Sequence, residues 1–196
     1  MSYILVLYHS AYGKVAQMAE YAAEGVRKSG QQVRIRTVAP VGVGLSNQPD
    51  MPEDGPIYAT IDDLSGCSGL LLGSPTRFGN MSADLKYFID QTSAVWMSGG
   101  LVNKPAAVFT STGSLHGGQE STLLSMMIPL FHHGMLLVGL PYTEPGLTQT
   151  SGGGTPYGAS HHAGSPQSPR EIDEHERQLM IALGLRVGSL AHKLGD

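Results

Sequence analysis

The stretch YILVLYHSAYGKV, residues 3–15, predicts the first unit of the fold. Its first half is an unbroken apolar run, which is typical of a strand buried on both faces of a sheet. A short corner containing Ser10, Tyr12 and Gly13 follows, and from Val15 onward apolar residues recur at helical spacing. The stretch therefore predicts a buried strand that turns sharply into a helix.

The same order of apolar run and helical stretch recurs along the chain. Between stretches of helix-like spacing lie four further apolar runs, at residues 33–38, 69–73, 106–109 and 135–140. Alternating strands and helices predict a parallel sheet covered by helices on both faces, and the mixed polarity of residues 33–38 favours an edge strand. Ser168, Pro169 and Glu171 form a capping pattern that predicts the start of a final helix.

Composition limits the classes of protein to consider. The 196 residues, of which 41% are hydrophobic, suffice for one domain with a core, so we expect residues 1–196 to form a single domain. The formal charge of −4 argues against binding to nucleic acid or to anionic membranes. The first residues lack a basic segment, and their apolar run is too short to cross a bilayer, so we expect a cytoplasmic protein without membrane insertion.

The lone cysteine, Cys67, cannot form an internal disulfide, and its setting before an apolar run predicts a buried, unreactive thiol. The adjacent His132 and His133 do not share a helix face, and no carboxylate stands at ligand spacing from them, so we expect no metal site there.

Three loops follow the first, third and fourth apolar runs and share a composition rich in hydroxyls and glycine. They read HSAYGKV (9–15), SPTRFGNM (74–81) and TSTGSLHGGQ (110–119). In a sheet of this kind, ligands bind beyond the carboxyl ends of the strands. A hydroxyl-rich corner before a helix can hold a phosphate on backbone N–H groups, although a capped turn without a ligand remains an alternative for the first loop alone. The three loops together favour a flat phosphorylated ligand, namely FMN.

Five segments carry a resemblance to a known family: YHSAYGKV (8–15), GSPTRFGNMSADLKYFIDQT (73–92), FTSTGSLHGGQE (109–120), HHGM (132–135) and GGGTPYGASHHAG (152–164). The chain resembles the WrbA family of NAD(P)H:quinone oxidoreductases over nearly its whole length. The resemblance implies an α/β, flavodoxin-like fold with a doubly wound five-stranded parallel sheet of order 2-1-3-4-5. It further implies an FMN cofactor, NADH or NADPH as electron donor, a quinone as small-molecule substrate, and a homotetramer.

The resemblance also assigns residues to the FMN site. For the phosphate loop it implies Ser10, Ala11, Tyr12, Gly13, Lys14 and Val15. For the isoalloxazine loop it implies Thr76, Arg77 and Phe78. For the third loop it implies Ser111, Thr112, Gly113, Ser114, Leu115, His116 and Gly117. His132 matches a family histidine at the flavin, Tyr12 a contact of the nicotinamide cofactor, and Trp96 a contact of the substrate.

Two positions depart from the family pattern. The third loop reads STGSLHGGQ, which is one residue longer than the commoner form, so its contacts with FMN are open. At the position of Lys14 the family often has a different side chain, and we expect the Lys14 ammonium to point to solvent.

Residues 141–167 form a long glycine-rich insertion. An ordered segment of this length without regular structure is usually functional, so we expect it to cover a neighbouring subunit or to wall the flavin site, with a disordered loop as the alternative. His161 and His162 within it are expected to be surface residues.

The activity expected is hydride transfer from NAD(P)H through FMN to a quinone, and His132 is the expected catalytic residue, which would polarise or protonate the quinone. Two alternatives remain from the sequence. One is a flavodoxin-type electron carrier that does not oxidise NAD(P)H itself. The other is a stress or interaction protein that keeps the fold without its cofactor.

Overall fold

Strands and helices alternate along the chain in the order that the apolar runs predict. The structure is a computed structural model that describes residues 2–42 and 52–195. The first half contains β1 (Ile4–Tyr8), α1 (Lys14–Lys28), β2 (Val33–Thr37), α2 (Ile61–Ser65), β3 (Gly69–Pro75), α3 (Ala83–Asp90) and α4 (Ser93–Met97). The second half contains β4 (Pro105–Thr112), α5 (Gln119–His132), β5 (Leu136–Leu137), α6 (Gly146–Gln149), β6 (Ala159–His162), β7 (Gly164–Ser165), β8 (Ser168–Pro169) and α7 (Glu174–Gly195).

The main sheet is parallel and runs in the order β2-β1-β3-β4-β5, which confirms the predicted flavodoxin-like fold. In its centre, Tyr8 of β1 lies opposite Gly73 of β3, and Ser74 of β3 lies opposite Thr110 of β4. Strand β2 is at the edge, as its alternating sequence predicts. The loops after β1, β3 and β4 consequently meet at one end of the sheet, because all three strands point the same way.

Two segments share the fifth position of the sheet. Strand β5 pairs with the start of β4, at Pro105 and Ala106, whereas β6 pairs with the end of β4, over the residues from Phe109 to Thr112. The chain between β5 and β6 leaves the sheet and returns to it. The predicted glycine-rich insertion therefore contributes a strand that lengthens the sheet toward the three loops.

Each face of the sheet carries its own apolar cluster. Helices α1 and α7 cover one face, and α3, α4 and α5 cover the other. Helices α1 and α7 approach each other closely because Gly25 faces the carbonyl of Ile181 and Gly184 faces the carbonyl of Ala22. A Cβ atom at either glycine would overlap the facing carbonyl oxygen, so the small residues set the distance between the two helices.

The predicted start of the final helix is wrong by about one turn and a half. Ser168 and Pro169 form strand β8, and helix α7 begins at Glu174. The capping box lies at the next Asp-x-x-Glu pattern, where the Glu176 N–H donates to Asp173 Oδ1 (2.9 Å) and the Asp173 N–H donates to Glu176 Oε2 (3.0 Å). Two competing capping patterns occur in this stretch, and pairing of β8 with β7 removes the first from the helix.

Cys67 is buried, as predicted, and burial raises the pKa of its thiol to about 11, so it is protonated at neutral pH. In the proline- and glycine-rich connection at 38–56, residues 43–51 lie outside the described residues. Within the two described stretches, no helix is both long and apolar enough to cross a membrane.

Candidate functional site

A cavity of about 540 Å³ lies beyond the carboxyl ends of β1, β3 and β4. Ten of the predicted site residues line it: Ser10, Ala11, Tyr12, Lys14, Val15, Thr76, Arg77, Ser111, Thr112 and Gly113. The cavity has the size of a typical small-molecule site. Three loops that are far apart in the sequence thus form one concave surface, as expected from the strand order.

The first loop has the geometry of an anion site at a helix N-terminus. The Ser10 hydroxyl accepts the N–H groups of Gly13 (3.1 Å) and Ala16 (3.3 Å) and so holds the corner in place. Gly13 caps helix α1 with a φ of 84°, a left-handed conformation that favours glycine. The amides of Lys14 and Val15 open the helix and have no carbonyl partner within it, so they are available to an anionic ligand.

The second loop is fixed by bonds to its neighbours. The Thr76 N–H donates to Ser111 O (3.1 Å), and the hydroxyl of Thr122 in α5 donates to Thr76 Oγ1 (2.7 Å). Backbone bonds in both directions between Arg77 and Asn80 then close a two-residue turn. These bonds place Thr76 and the Arg77 backbone along the cavity.

Phe78 occupies the first central position of that turn with a φ of 52°, and its side chain is fully exposed. The left-handed region costs an aromatic residue about 1–2 kcal/mol. Phe78 projects from the turn beside the cavity and does not line its wall. Its predicted contact with the flavin therefore remains a prediction.

The third loop divides into two parts. Ser111, Thr112 and Gly113 lie along the cavity, and the Thr112 hydroxyl donates to Ser114 O (2.9 Å) to form a local turn. The remaining predicted contacts, Ser114, Leu115, His116 and Gly117, lie beyond the cavity wall. The Gly117 N–H donates to Ser114 O (3.1 Å), which closes a turn over residues 114–117, outside the residues that line the cavity.

The hairpin of β7 and β8 forms a fourth wall of the cavity, and none of its residues was predicted as a site residue. Its contribution to the cavity comes from Ala163, Gly164, Ser165, Pro166 and Pro169. The Ala163 N–H donates to Thr112 O (2.8 Å), which joins the hairpin to β4. The glycine-rich insertion thus walls the cavity, one of the two roles expected for it.

His132 and Trp96 lie together, but away from this cavity. Both line a separate open hollow between α3, α4 and α5, which also includes Ile128. Neither residue lines the cavity of the three loops, and their predicted contacts with flavin and substrate remain predictions. Of the aromatic residues assigned to the site, Tyr12 lies at the cavity with 89% of its surface exposed.

Lys14 does not simply point to solvent. Its Nζ lies 2.6 Å from Glu171 Oε2, and 21% of its side-chain surface is exposed. This hydrogen bond and the ammonium charge hold the pKa of the Glu171 carboxyl below its usual value, so the carboxyl is ionised at neutral pH. Lys14 and Arg77 give the cavity its positive charge.

His9 is a further residue near the cavity that the sequence analysis did not assign. Its Nδ1 lies 2.8 Å from Ser82 Oγ, and Ser82 is also the N-cap residue of α3. Burial lowers the pKa of His9, although Asp84 opposes that shift. The contact joins the first loop to the helix that follows the second.

The sequence model of the family described as NADPH-dependent FMN reductase matches residues 3–143. The structure is similar to that of a flavodoxin, WrbA-like protein from Agrobacterium tumefaciens, with a TM-score of 0.69 and 23% identity over 98% of this chain and 99% of that chain. It is also similar to flavodoxin 2 from Bacillus cereus, with a TM-score of 0.61 and 17% identity over 98% of this chain and 99% of that chain. At these identities the two structures establish the fold alone.

The cavity fits an FMN-sized ligand, since it joins a helix N-terminus that can bind an anion to two further loops on one concave surface. The family match covers well over half of the chain. The protein therefore belongs to the NADPH-dependent FMN reductase family and is an FMN-dependent oxidoreductase with a flavodoxin-like fold.

Proposed function

We propose that the protein is a WrbA-type enzyme that reduces quinones by two electrons at the expense of NADH or NADPH. One observation carries the proposal. The three loops that resemble WrbA segments line a single cavity, and a helix N-terminus lies at one side of it. The segments PTRFGNM and GGGTPYGA are the most specific part of the resemblance to the WrbA family. The similarity of the structure to the WrbA-like protein from Agrobacterium tumefaciens agrees with this assignment.

We assign binding of the phosphate to the first loop. The Ser10 hydroxyl and the amides of Lys14 and Val15 are the groups available to phosphate oxygens, and the dipole of α1 favours the negative charge. No deprotonation is needed for this contact, since backbone amides and a hydroxyl donate at any physiological pH.

Orientation of the ring system falls to the second and third loops. Thr76, which is held by Ser111 and Thr122, and Gly113 line the part of the cavity in which we place the isoalloxazine. FMN bound here would supply the redox chemistry, a two-electron transfer from NAD(P)H to the quinone. The hairpin residues Ser165 and Pro166 limit the access of water on one side.

The exposed Tyr12 at the cavity rim is the residue that we assign to the nicotinamide cofactor. An aromatic side chain at an open site can stack on a planar ring without fixing its identity. This fits a face that is occupied first by the nicotinamide and then by the quinone.

We further propose that copies of the chain assemble as a homotetramer, in which a second copy brings His132 and Trp96 to the flavin site. An apolar strip on the outer face of α5 supports this, because Leu124, Ile128 and Phe131 are exposed at helical spacing and His132 follows them directly. Trp96 and Met97 extend the strip onto α4. In this arrangement His132 would hydrogen-bond the quinone oxygen or give it a proton.

The role of His132 is tested with His132→Ala and, as a matched control, His192→Ala near the end of α7. With FMN saturating, His132→Ala should slow quinone reduction about 100-fold and leave reduction of the flavin by NADPH unchanged. The control should alter neither rate. A His132→Ala enzyme with the wild-type rate of quinone reduction would remove the histidine from the proposal.

The activity itself is tested by anaerobic turnover with NADPH and benzoquinone. The proposal expects one hydroquinone formed for each NADPH oxidised, without accumulation of a quinone radical in electron spin resonance. Flavin that binds but is not reduced by NADPH or NADH unless a separate reductase is added would identify an electron carrier. A protein that takes up no FMN would support an interaction role instead.

A further inference from the structure

The ion pair between Lys14 and Glu171 lies at the edge of the cavity. Lys14 comes from the phosphate loop and lines the cavity, whereas Glu171 follows the hairpin that forms the opposite wall. The Nζ and Oε2 atoms are 2.6 Å apart. Glu171 has 81% of its side-chain surface exposed, so it is free to leave the lysine without opening the core.

Lys14 is placed to interact either with Glu171 or with a phosphate bound at the first loop. Lys14 opens helix α1, where the amides that bind a phosphate also lie, and its four-carbon stem is long enough to reach that ligand. The guanidinium of Arg77, the other cation along the described cavity wall, uses one of its five N–H donors, at Nη1, on Thr76 O (2.9 Å) and keeps its charge. Lys14 differs from Arg77 in having an acidic partner at 2.6 Å, so breaking that ion pair would change the positive charge that the phosphate meets.

A carboxylate and a phosphate that interact with the same ammonium each weaken the other's attraction to it. The Glu171 carboxylate accepts from Lys14 Nζ at 2.6 Å, and its negative charge thereby lies close to the first turn of α1, where we place the phosphate. Either effect lowers the affinity for a dianion, but neither acts on a ligand that has no phosphate.

We propose that Glu171 is a specificity-determining residue that competes with the cofactor's phosphate for Lys14 and so sets the preference of the site for phosphorylated over unphosphorylated flavin. This inference rests on the proposed function, because it assumes that the cavity binds FMN. It assigns to a residue outside the phosphate loop the control of how strongly the loop holds its ligand.

The experiment measures dissociation constants of FMN and riboflavin by quenching of flavin fluorescence. The variants are Glu171→Gln, Lys14→Gln and the double variant, with Glu174→Gln as control. Glu174 is an exposed glutamate on the first turn of α7 that is bonded to Arg177. The control removes the same charge at a site outside the cavity wall.

Glu171→Gln should bind FMN about two- to fivefold more tightly than wild type in dilute salt and bind riboflavin with unchanged affinity. Lys14→Gln should weaken FMN about tenfold, and the gain from Glu171→Gln should be smaller in its background. The gain should also shrink between about 0.01 M and about 1 M salt, because mobile ions screen the carboxylate. The salt series decides the matter even where riboflavin binds too weakly to measure.

Two results would overturn the inference. One is an unchanged FMN affinity of Glu171→Gln at low salt. The other is an equal loss of FMN and riboflavin binding in that variant, which would make the pair a structural tie between the loop and the hairpin. Absence of FMN binding by the wild-type protein would contradict the proposed function itself, and it would be recognised before any variant is compared.

Discussion

The Nδ1 atom of His161 lies 2.8 Å from Oε2 of Glu176, and both side chains are buried, with 0% and 2% of their residue surfaces exposed. Glu176 also accepts the N–H groups of Gly153 (2.7 Å) and His162 (3.0 Å). The glutamate at the start of α7 thereby fixes the glycine-rich insertion and strand β6. Because the hairpin that walls the cavity follows β6 directly, this buried carboxylate also determines where that wall stands.

Replacement of Glu176 should be costly. Glu176→Ala should lower the free energy of unfolding by about 3–5 kcal/mol, because it leaves buried donors without their acceptor. Glu176→Gln keeps one carbonyl oxygen and should cost about 1–3 kcal/mol. Urea unfolding of the flavin-free protein measures both. Glu174→Gln serves as the exposed control, and an equal effect of the two glutamine variants would contradict the role of Glu176.

The contribution of Glu176 should depend on pH in one direction. Burial alone would raise the pKa of this carboxyl, but hydrogen bonds from His161 and from the N–H groups of His162 and Asp173 hold it below the ordinary value of 4.5. The unfolded state then binds the proton more readily, so the stabilisation is complete above pH 4.5 and is lost as the pH falls through the lowered folded-state pKa.

The measurement for this pH dependence is the difference in unfolding free energy between wild type and Glu176→Gln over a pH series. The difference should narrow as the pH falls below 4.5, because protonation of the carboxyl removes its advantage over the amide. A difference that grows on acidification would show the sign to be wrong.

The positive φ of Phe78 should destabilise the folded protein, and a residue that favours this conformation should be more stable there. Phe78→Asn places an Asn-Gly pair in a turn whose central residues both have positive φ, and it should stabilise the flavin-free protein by about 1 kcal/mol. Thermal unfolding measures the change, with Tyr142→Asn at an exposed aromatic residue as the control. The same Phe78 variant should lose quinone reductase activity, and a variant that is more stable and fully active would leave the strain without a functional reason.

Ser10 should affect binding more than folding. Ser10→Ala removes the acceptor of the Gly13 and Ala16 amides and a hydroxyl for the phosphate, so FMN affinity should fall about tenfold or more. Stability should fall by about 1 kcal/mol, as for the loss of a helix cap. Ser65→Ala, at an exposed serine of α2, is the control for the substitution itself. Unchanged FMN affinity in Ser10→Ala would contradict the assignment of the phosphate to this loop.

The sheet and the cavity could be predicted from sequence because their signals are local. Continuous apolar runs mark the buried strands, and the hydroxyl- and glycine-rich loops stand directly after them. The order of the strands came from the resemblance to a family. The periodicity of residues does not contain that information.

Features that depend on distant partners were not predictable in this way. His161 and His162 lie in a polar, glycine-rich stretch that suggests a surface, but the prediction for His161 was wrong because Glu176, 15 residues later, gives it a buried partner. The start of α7 was misplaced because two capping patterns compete and pairing with β7 decides between them. The place of His132 and Trp96, outside the cavity of their own chain, is likewise a property of the packing of α4 and α5.

The most direct measurement is the visible absorption spectrum of the purified protein, titrated with FMN and then mixed anaerobically with NADPH or NADH. The account predicts saturable uptake of FMN, loss of the oxidised flavin band on addition of the nicotinamide cofactor, and return of the band when benzoquinone is added. A flavin that binds but stays oxidised with both donors, or a protein that takes up no FMN, would contradict it.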